Sequence, residues 1–587
     1  MFAQEYPGHA VARNRVICSE SGCNKHSHDS LTAGLSRIYS DSVIHPVPVL
    51  AFVCTVTYEG GTMRFRALCV VTMSLALVTI SVAQNASTVV RTESGLVRGV
   101  TEGEMRAFRG IPFGAPPVDH LRWRPPLPPR SWSGIRDTST FGNACMQIAS
   151  SGDLIGNEDC LYLNVFTSTS ITAKAHQPVM VFFHGGGDFR GSTRQIPYDS
   201  PALATRGVIV VTAEYRVGSL GFFVHPLLTK EGNGSSGNYG LMDQIAALAW
   251  VQRNIGAFGG DPTRVMAFGQ SAGGADVQVL LASPAARGLF SRAGIESDGV
   301  PLHFTRHLAL AEADQAPLVT RVGCNSATDI LACLRSVPAD VLVRAQIGLP
   351  TEFVIEPRVL PKDPFAVIER EGSPVPLLIG STREEATGLF DDPSQPLSAD
   401  EFAAQIHAEF DFLGGEVADH VLALYPVSDY DAPIWALVAV DSDINVTCEL
   451  RNTARAAVGR NTEPEQSRPA IWRYLFTHQV ENDPSLNILR AFHKEELFFL
   501  FGHPDELGDP YVPGADEIQL SELLIGYWTR FAASEDPNGG AAQHWPRYGP
   551  DDQILQLDVS STQTSGYHNP QCDYLTTLFH RIPVTGP

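Results

Sequence analysis

From residue 178 onward, short runs of consecutive apolar residues alternate with longer stretches of a different period. PVMVFFHGGG (178–187), GVIVVTAEYR (207–216), RVMAFGQ (264–270), AGIESD (293–298), PLLIGSTREE (376–385) and AIWRYLF (470–476) form the first series. A continuous run, unlike an alternating one, puts apolar side chains on both faces of a strand. That suits strands covered on both sides in a mostly parallel sheet. Between the second and third runs, YGLMDQIAALAWVQRNIGAFG (239–259) changes period, with Leu241, Ile245, Leu248 and Val251 along one side of a helix. DPTRV then supplies a turn before the next strand. The pattern predicts a doubly wound α/β protein with a mostly parallel central sheet flanked by helices. Helical stretches near 300–345 and 398–440 read as insertions of the kind that cover or line a pocket.

Length and composition narrow this picture. A chain of 587 residues holds one large α/β enzyme domain or several smaller ones. No internal repeat or low-complexity linker follows residue 84. The formal net charge of −22 argues against a nucleic-acid or anionic-membrane partner, because both need a basic face.

One segment bears on targeting. From Met63 the chain reads MRFRALCVVTMSLALVTISVAQNAS: Arg64 and Arg66 precede an apolar stretch from Ala67 to Ile80, and Ser81-Val82-Ala83 resembles a cleavage site. The stretch is short for a membrane span, which needs about 20 apolar residues. Residues 63–83 therefore read as a secretory signal peptide, with a signal anchor as the alternative. Residues 1–62 are left as an unassigned extension or a mis-called start, and 84–587 as the folded domain. The expected location is extracellular or periplasmic, with no stable membrane anchor after cleavage.

Cysteine usage agrees with export. Of ten cysteines, six follow the signal: Cys145, Cys160, Cys324, Cys333, Cys448 and Cys572. An even set suits disulfides, although sequence alone leaves many pairings open. None has zinc-ligand spacing, so no metal is expected. Asn85, Asn233 and Asn445 stand in N-x-S/T sequons and would carry glycans only on a eukaryotic secretory route.

The candidate chemistry lies in FGQSAGGAD (268–276), where Gly269, Ser271 and Gly273 match G-x-S-x-G. The motif is short, so its context decides. RVMAF before it reads as a buried strand and ADVQVLLASP after it as a helix, the setting of a nucleophile elbow. A serine hydroxyl needs a base, oriented in turn by an acid, and N–H donors for an oxyanion. HGGG (184–187), directly after a strand, offers glycine N–H groups free to approach a substrate.

With FRGIPFGAPP (108–117), NEDCLYLNVF (157–166), YRVGSLGFF (215–223), GNYGLMDQ (237–244), FGGDPTRV (258–265) and YWTRFAASEDPN (527–538), the chain resembles the type-B carboxylesterases. These are the carboxylesterases and cholinesterases of the α/β-hydrolase fold, and the likeness runs over residues 88–580. It implies helical insertions over the active site and a Ser-Glu-His triad without cofactor. The acid falls at Glu385 in LLIGSTREEATG, with Glu384 as competitor. The base is His493 in AFHKEELFFLFG; His478 and His503 lack that context. The implied oxyanion donors are the N–H groups of Gly186, Gly187 and Ala272. Ser297 is implied as a support behind the triad and Gln270 as its flank. The implied disulfides are Cys145–Cys160, Cys324–Cys333 and Cys448–Cys572.

Some residues depart from the family pattern. Glu296 stands where Gln is usual. The Cys145–Cys160 loop lacks the aromatic that binds quaternary ammonium in cholinesterases, and Gln270 replaces Glu, so choline esters are disfavoured. Asp188 follows HGGG in place of an aromatic, where it either narrows acyl preference or repels anionic substrates, or else points to solvent. The expected partner is a small-molecule ester, with oligomeric state open. The alternatives are a non-catalytic adhesion protein on the same fold, or a specialised lipase or carbamate hydrolase of the same family.

Overall fold

The computed structural model describes residues 87–579, apart from 196, 200, 298–304, 460–467 and 509–510. The extension, the signal segment and Asn85 lie outside the described residues.

Eleven strands build the central sheet: β1 (Val100–Glu102), β2 (Met105–Pro112), β3 (Tyr162–Ser168), β4 (Gln177–Phe183), β5 (Ile209–Ala213), β6 (Gly260–Gln270), β7 (Arg292–Glu296), β8 (Leu377–Thr382), β9 (Ile471–Phe476), β10 (Gln553–Leu557) and β11 (Thr562–Ser565). Their order is β11-β10-β9-β8-β7-β6-β4-β5-β3-β2-β1. Pairing is parallel from β10 to β5 and antiparallel at both ends.

The apolar runs produce this sheet because both of its faces are covered. Val179, Val181 and Phe183 of β4 join Leu377 and Ile379 in one core, while Met180 and Phe182 join Leu378 and Trp472 in the other. After β4 the chain adds β5 on one side and β6 on the other. The crevice at the carboxyl ends of β4 and β6 is thus a topological switch point, where ligands of open α/β sheets bind.

The helix α1 (Tyr239–Asn254) buries Leu241, Leu248 and Val251 as its period predicts, with Ile245 partly buried. It also buries Asp243, Gln244 and Trp250 on other sides. The polar pair is accommodated by partners: Arg216 Nε donates to Asp243 at 2.7 Å and Gln244 donates to Asp276 at 2.5 Å. Burial of polar groups with partners is what a hydrophobic period cannot report.

Both insertions are helical, with helices at Leu308–Arg321, Ile330–Ser336 and Ala339–Ala345, then at Ala399–Phe410, Gly415–Leu424 and Pro433–Ser442. The first packs in an apolar cluster shared with Leu241 and Ala275 of the surrounding fold, and the second in one shared with Leu575 and Leu578 near the C-terminal end. The second is tied to the chain just after β8, where the Ala386 N–H donates to Ser442 Oγ at 3.0 Å. The cysteines join as Cys145–Cys160, Cys324–Cys333 and Cys448–Cys572, the pairs the resemblance implies. Asn233 is exposed on a turn, whereas the Asn445 amide donates to the Asp441 carbonyl at 2.7 Å. Among the described residues no helix is long and apolar enough to cross a membrane.

Candidate active site

Ser271 sits between β6 and the helix α2 (Ala272–Ala282), at φ 57° and ψ −130°. That backbone is rare for a residue with a side chain and persists only where the surroundings over-determine it. Here they do. The Ser271 N–H donates to the Glu296 carbonyl at 2.9 Å, and the Ser271 carbonyl accepts from the N–H groups of Gly274 and Ala275. The flanking glycines follow from contact: a Cβ on Gly269 would collide with the Gly273 carbonyl, and one on Gly273 with the Phe183 carbonyl. The turn is tighter than the sequence implies, because α2 begins immediately after the serine. The unpaired N–H groups of its first turn and its dipole favour negative charge beside Ser271.

The glycine loop after β4 packs against this turn. A Cβ on Gly185 would stand 2.7 Å from that of Ser271. Gly186 and Gly187 have φ of +121° and +64°. His184 fixes the loop from beneath: it is fully buried, stacks on Tyr215 at 4.4 Å, and its carbonyl accepts the Tyr215 hydroxyl at 2.6 Å. Burial lowers its pKa to about 4, so it is neutral near neutral pH. Asp188 is 7% exposed and has its Oδ1 3.5 Å from the same hydroxyl. Its side chain turns inward instead of pointing to solvent.

Glu385 and His493, the expected acid and base, converge from two further elements. Glu385, three residues past the end of β8, is fully buried and accepts the Thr382 N–H at 2.6 Å. His493, before the helix α3 (Glu495–Leu500), places Nδ1 2.5 Å from Glu385 Oε2. With Nδ1 as donor, Nε2 is left as an acceptor, the tautomer a general base requires. In this structure Nε2 meets the Gln270 side-chain nitrogen at 3.1 Å. Gln270, expected only as a flank, therefore touches His493 directly.

Glu384 faces elsewhere. It pairs with Arg383 at 2.7 Å and accepts the Ala491 N–H at 3.2 Å, tying the acid's loop to the histidine's. His478 bonds to Asp558 and Glu517, and His503 to the Asp199 carbonyl.

Behind Ser271, Glu385 and His493 lies a group of buried acids; the sequence marked Glu296 only as a departure from the family pattern and did not single out Glu496. Ser297 donates to Glu496 Oε1 at 2.9 Å, and the Trp528 indole donates to Glu296 Oε1 at 2.5 Å. Both glutamates are fully buried, and the second oxygen of each has no partner. Burial pushes both pKa values up to about 8; the charges of Glu385 and Glu296 add to the shift at Glu496. The available signal was an acid closing an apolar strand, in AGIE, and a Glu pair entering LFFLF.

The fold and this convergence at its switch point define an α/β hydrolase. The sequence profile of the Carboxylesterase family matches residues 86–575, and the chain belongs to that family. Among curated proteins it is 36% identical over 490 residues to a fumonisin B1 esterase of Sphingopyxis macrogoltabida, covering 78% of this chain and 84% of that one. It is 35% identical over 515 residues to a para-nitrobenzyl esterase of Bacillus subtilis (strain 168), covering 84% and 98%. A solved PNB esterase superposes with a TM-score of 0.70 at 32% identity, over 84% of this chain and 100% of that one. The protein is a carboxylic ester hydrolase.

Proposed function

We propose that residues 84–587 form a secreted serine esterase that cleaves small-molecule carboxylic esters through Ser271, His493 and Glu385. The observation that carries this reading is the Glu385–His493 contact beside a serine held in a strained strand-to-helix turn. His493 Nε2 takes the Ser271 proton as Oγ attacks the ester carbonyl carbon. The resulting oxyanion lies against the N–H groups of Gly186, Gly187 and Ala272, and Glu385 stabilises the imidazolium. Collapse of the tetrahedral intermediate breaks the C–O bond, and His493 gives its proton to the leaving alcohol. Water then attacks the acyl-serine, giving its proton to the same nitrogen, and Ser271 and the free acid are regenerated. No step calls on a cofactor. Export is supported by the signal-like segment at 63–83 and by disulfides suited to an oxidising compartment.

The test of mechanism is Ser271→Ala on a short-chain p-nitrophenyl ester, with a loss of at least about 10⁴-fold in kcat expected. A fluorophosphonate should label Ser271 of the wild-type protein and leave the variant unlabelled. Near-normal turnover by the variant refutes the mechanism. N-terminal sequencing of the native protein tests export: a start near Gln84 is expected, and one well upstream counts against it.

A further inference from the structure

The run GVIVVTAEYR (207–216) is apolar as far as Ala213 and then places one acid, Glu214, directly past the end of β5. Its side chain is 3% exposed, and its two oxygens are used unequally. Oε1 accepts the Ser192 hydroxyl at 2.6 Å, and the Thr193 N–H and hydroxyl each at 2.8 Å. Oε2 has no hydrogen-bond partner and faces His184 Nε2 at 3.9 Å, a nitrogen that is also without one. Residues 184 and 192–193 are the two ends of the loop that carries Gly186 and Gly187. That loop folds back on itself. The Arg190 N–H donates to the Gly186 carbonyl at 3.2 Å, and a Cβ on Gly191 would collide with the Gly185 carbonyl and with His184 Nδ1. Gly185 in turn packs on Ser271. One carboxyl group thus reaches both ends of the turn that lies against the serine.

The charge on that carboxyl follows from its surroundings. Burial raises its pKa to about 7 and lowers that of His184 to about 4, so between these values both groups are neutral. His184 Nδ1 lies 3.0 Å from the Gly185 carbonyl, and donating there leaves a lone pair on Nε2. A proton on Glu214 Oε2 faces that lone pair, and the contact is attractive. An ionised Glu214 sets a carboxylate oxygen against the same lone pair inside the protein, where water screens little, and the contact turns repulsive. Neighbouring groups do not offset this. Tyr215 turns its hydroxyl to the His184 carbonyl, where the charges of Asp276 and Asp188 bear on it. The Tyr162 hydroxyl bonds to Asp159, and Cys145, whose N–H also reaches Glu214, is held in a disulfide. Among the described residues no lysine or arginine pairs with Glu214.

We propose that Glu214 is a positioning residue for the oxyanion loop: its carboxylic acid holds His184 at one end and Ser192 and Thr193 at the other, and so aims the Gly186 and Gly187 N–H groups at the oxyanion formed on Ser271. The proposal rests on the Ser271 reading above.

The experiment compares Glu214→Ala and Glu214→Gln with the wild-type full chain on p-nitrophenyl acetate, and against a trifluoromethyl ketone, which adds to an active serine as an oxyanion. Glu214→Ala should lower kcat by about 10²-fold while KM moves by less than about threefold. It should weaken the ketone by about the same 10²-fold, because misaimed donors cost only the charged oxygen. Glu214→Gln keeps an oxygen for Ser192 and Thr193 and offers His184 an N–H at every pH. It should recover kcat to within about threefold of wild type near pH 6, and should escape the fall in kcat that the wild-type chain shows as pH rises from about 7 to about 9. A Glu214→Ala chain with near-normal kcat, or one that keeps its ketone affinity while kcat falls, overturns the proposal. So does a Glu214→Gln chain that loses as much as Glu214→Ala or follows the wild-type profile above about pH 7; this variant decides the matter if the alanine chain does not fold. Failure of both the ketone and a fluorophosphonate to engage Ser271 of the wild-type chain overturns the Ser271 reading, and the role of Glu214 with it.

Discussion

Two residues fix the protonation of the base from opposite sides. Glu385 holds Nδ1 at 2.5 Å, and the Gln270 amide meets Nε2 at 3.1 Å. Glu385→Gln keeps the shape of the first contact but lets the amide donate to Nδ1, which favours the wrong tautomer. A loss of about 10⁴-fold in kcat with little change in KM is expected; a loss under tenfold would mean the acid lies elsewhere. Gln270→Glu acts in the other direction. A carboxylate at Nε2 stabilises the imidazolium, so the acidic limb of kcat/KM against pH should move up by about one unit. An unmoved limb would show that Gln270 does not reach the base in solution. The motifs pointed to the three residues proposed to react, but not to this contact. Which way residue 270 turns depends on the Ser271 backbone angle, and that angle has no signature of its own beyond the glycines.

At the level of elements, the strands were legible because burial on both faces writes itself as unbroken Val, Ile and Phe. The six predicted runs end within a few residues of the limits of β4 to β9, whereas β1, β2, β3, β10 and β11 had no predicted counterpart. The turn at Ser271 was legible in kind but not in tightness. Gly273 must approach the Phe183 carbonyl more closely than any side chain allows, while a Cβ on Gly274 would stand 3.1 Å from the Glu296 carbonyl. Gly273→Ala should therefore destabilise the fold by about 1–3 kcal/mol and depress kcat as β4 and α2 are pushed apart, with Gly274→Ala clearly milder. Chemical denaturation and turnover of the two variants together check the ranking, and equal effects would contradict it. The buried acids were not legible, since Glu296, Glu495 and Glu496 carry side chains that sequence statistics assign to the surface. Only the packing of β7 against β8, and of α3 beneath the triad, puts them inside.

For the whole molecule, those acids couple stability to pH, and the sign follows from where each proton sits. Glu296 titrates at about 8 in the folded chain because burial penalises its charged form, against 4.5 for a free glutamate. Between those values the folded state holds a proton that the unfolded state has released. Its contribution to stability is thus complete below about pH 4.5 and is lost as pH rises through about 8. Glu496, also at about 8, and Glu214, at about 7, act in the same direction. Glu296→Gln removes the titration while keeping an oxygen for the Trp528 indole. Its stability relative to wild type should therefore rise between pH 5 and pH 8.5, by an amount on the order of a few kcal/mol. Urea midpoints of the two proteins across that range measure the difference directly. Parallel curves would mean that Glu296 is already ionised when folded, and that its unpartnered oxygen is neutralised by a route other than its own proton. A gap that opens with pH would mean that the one acid at position 296 sets an alkaline limit on the enzyme's stability from within its core.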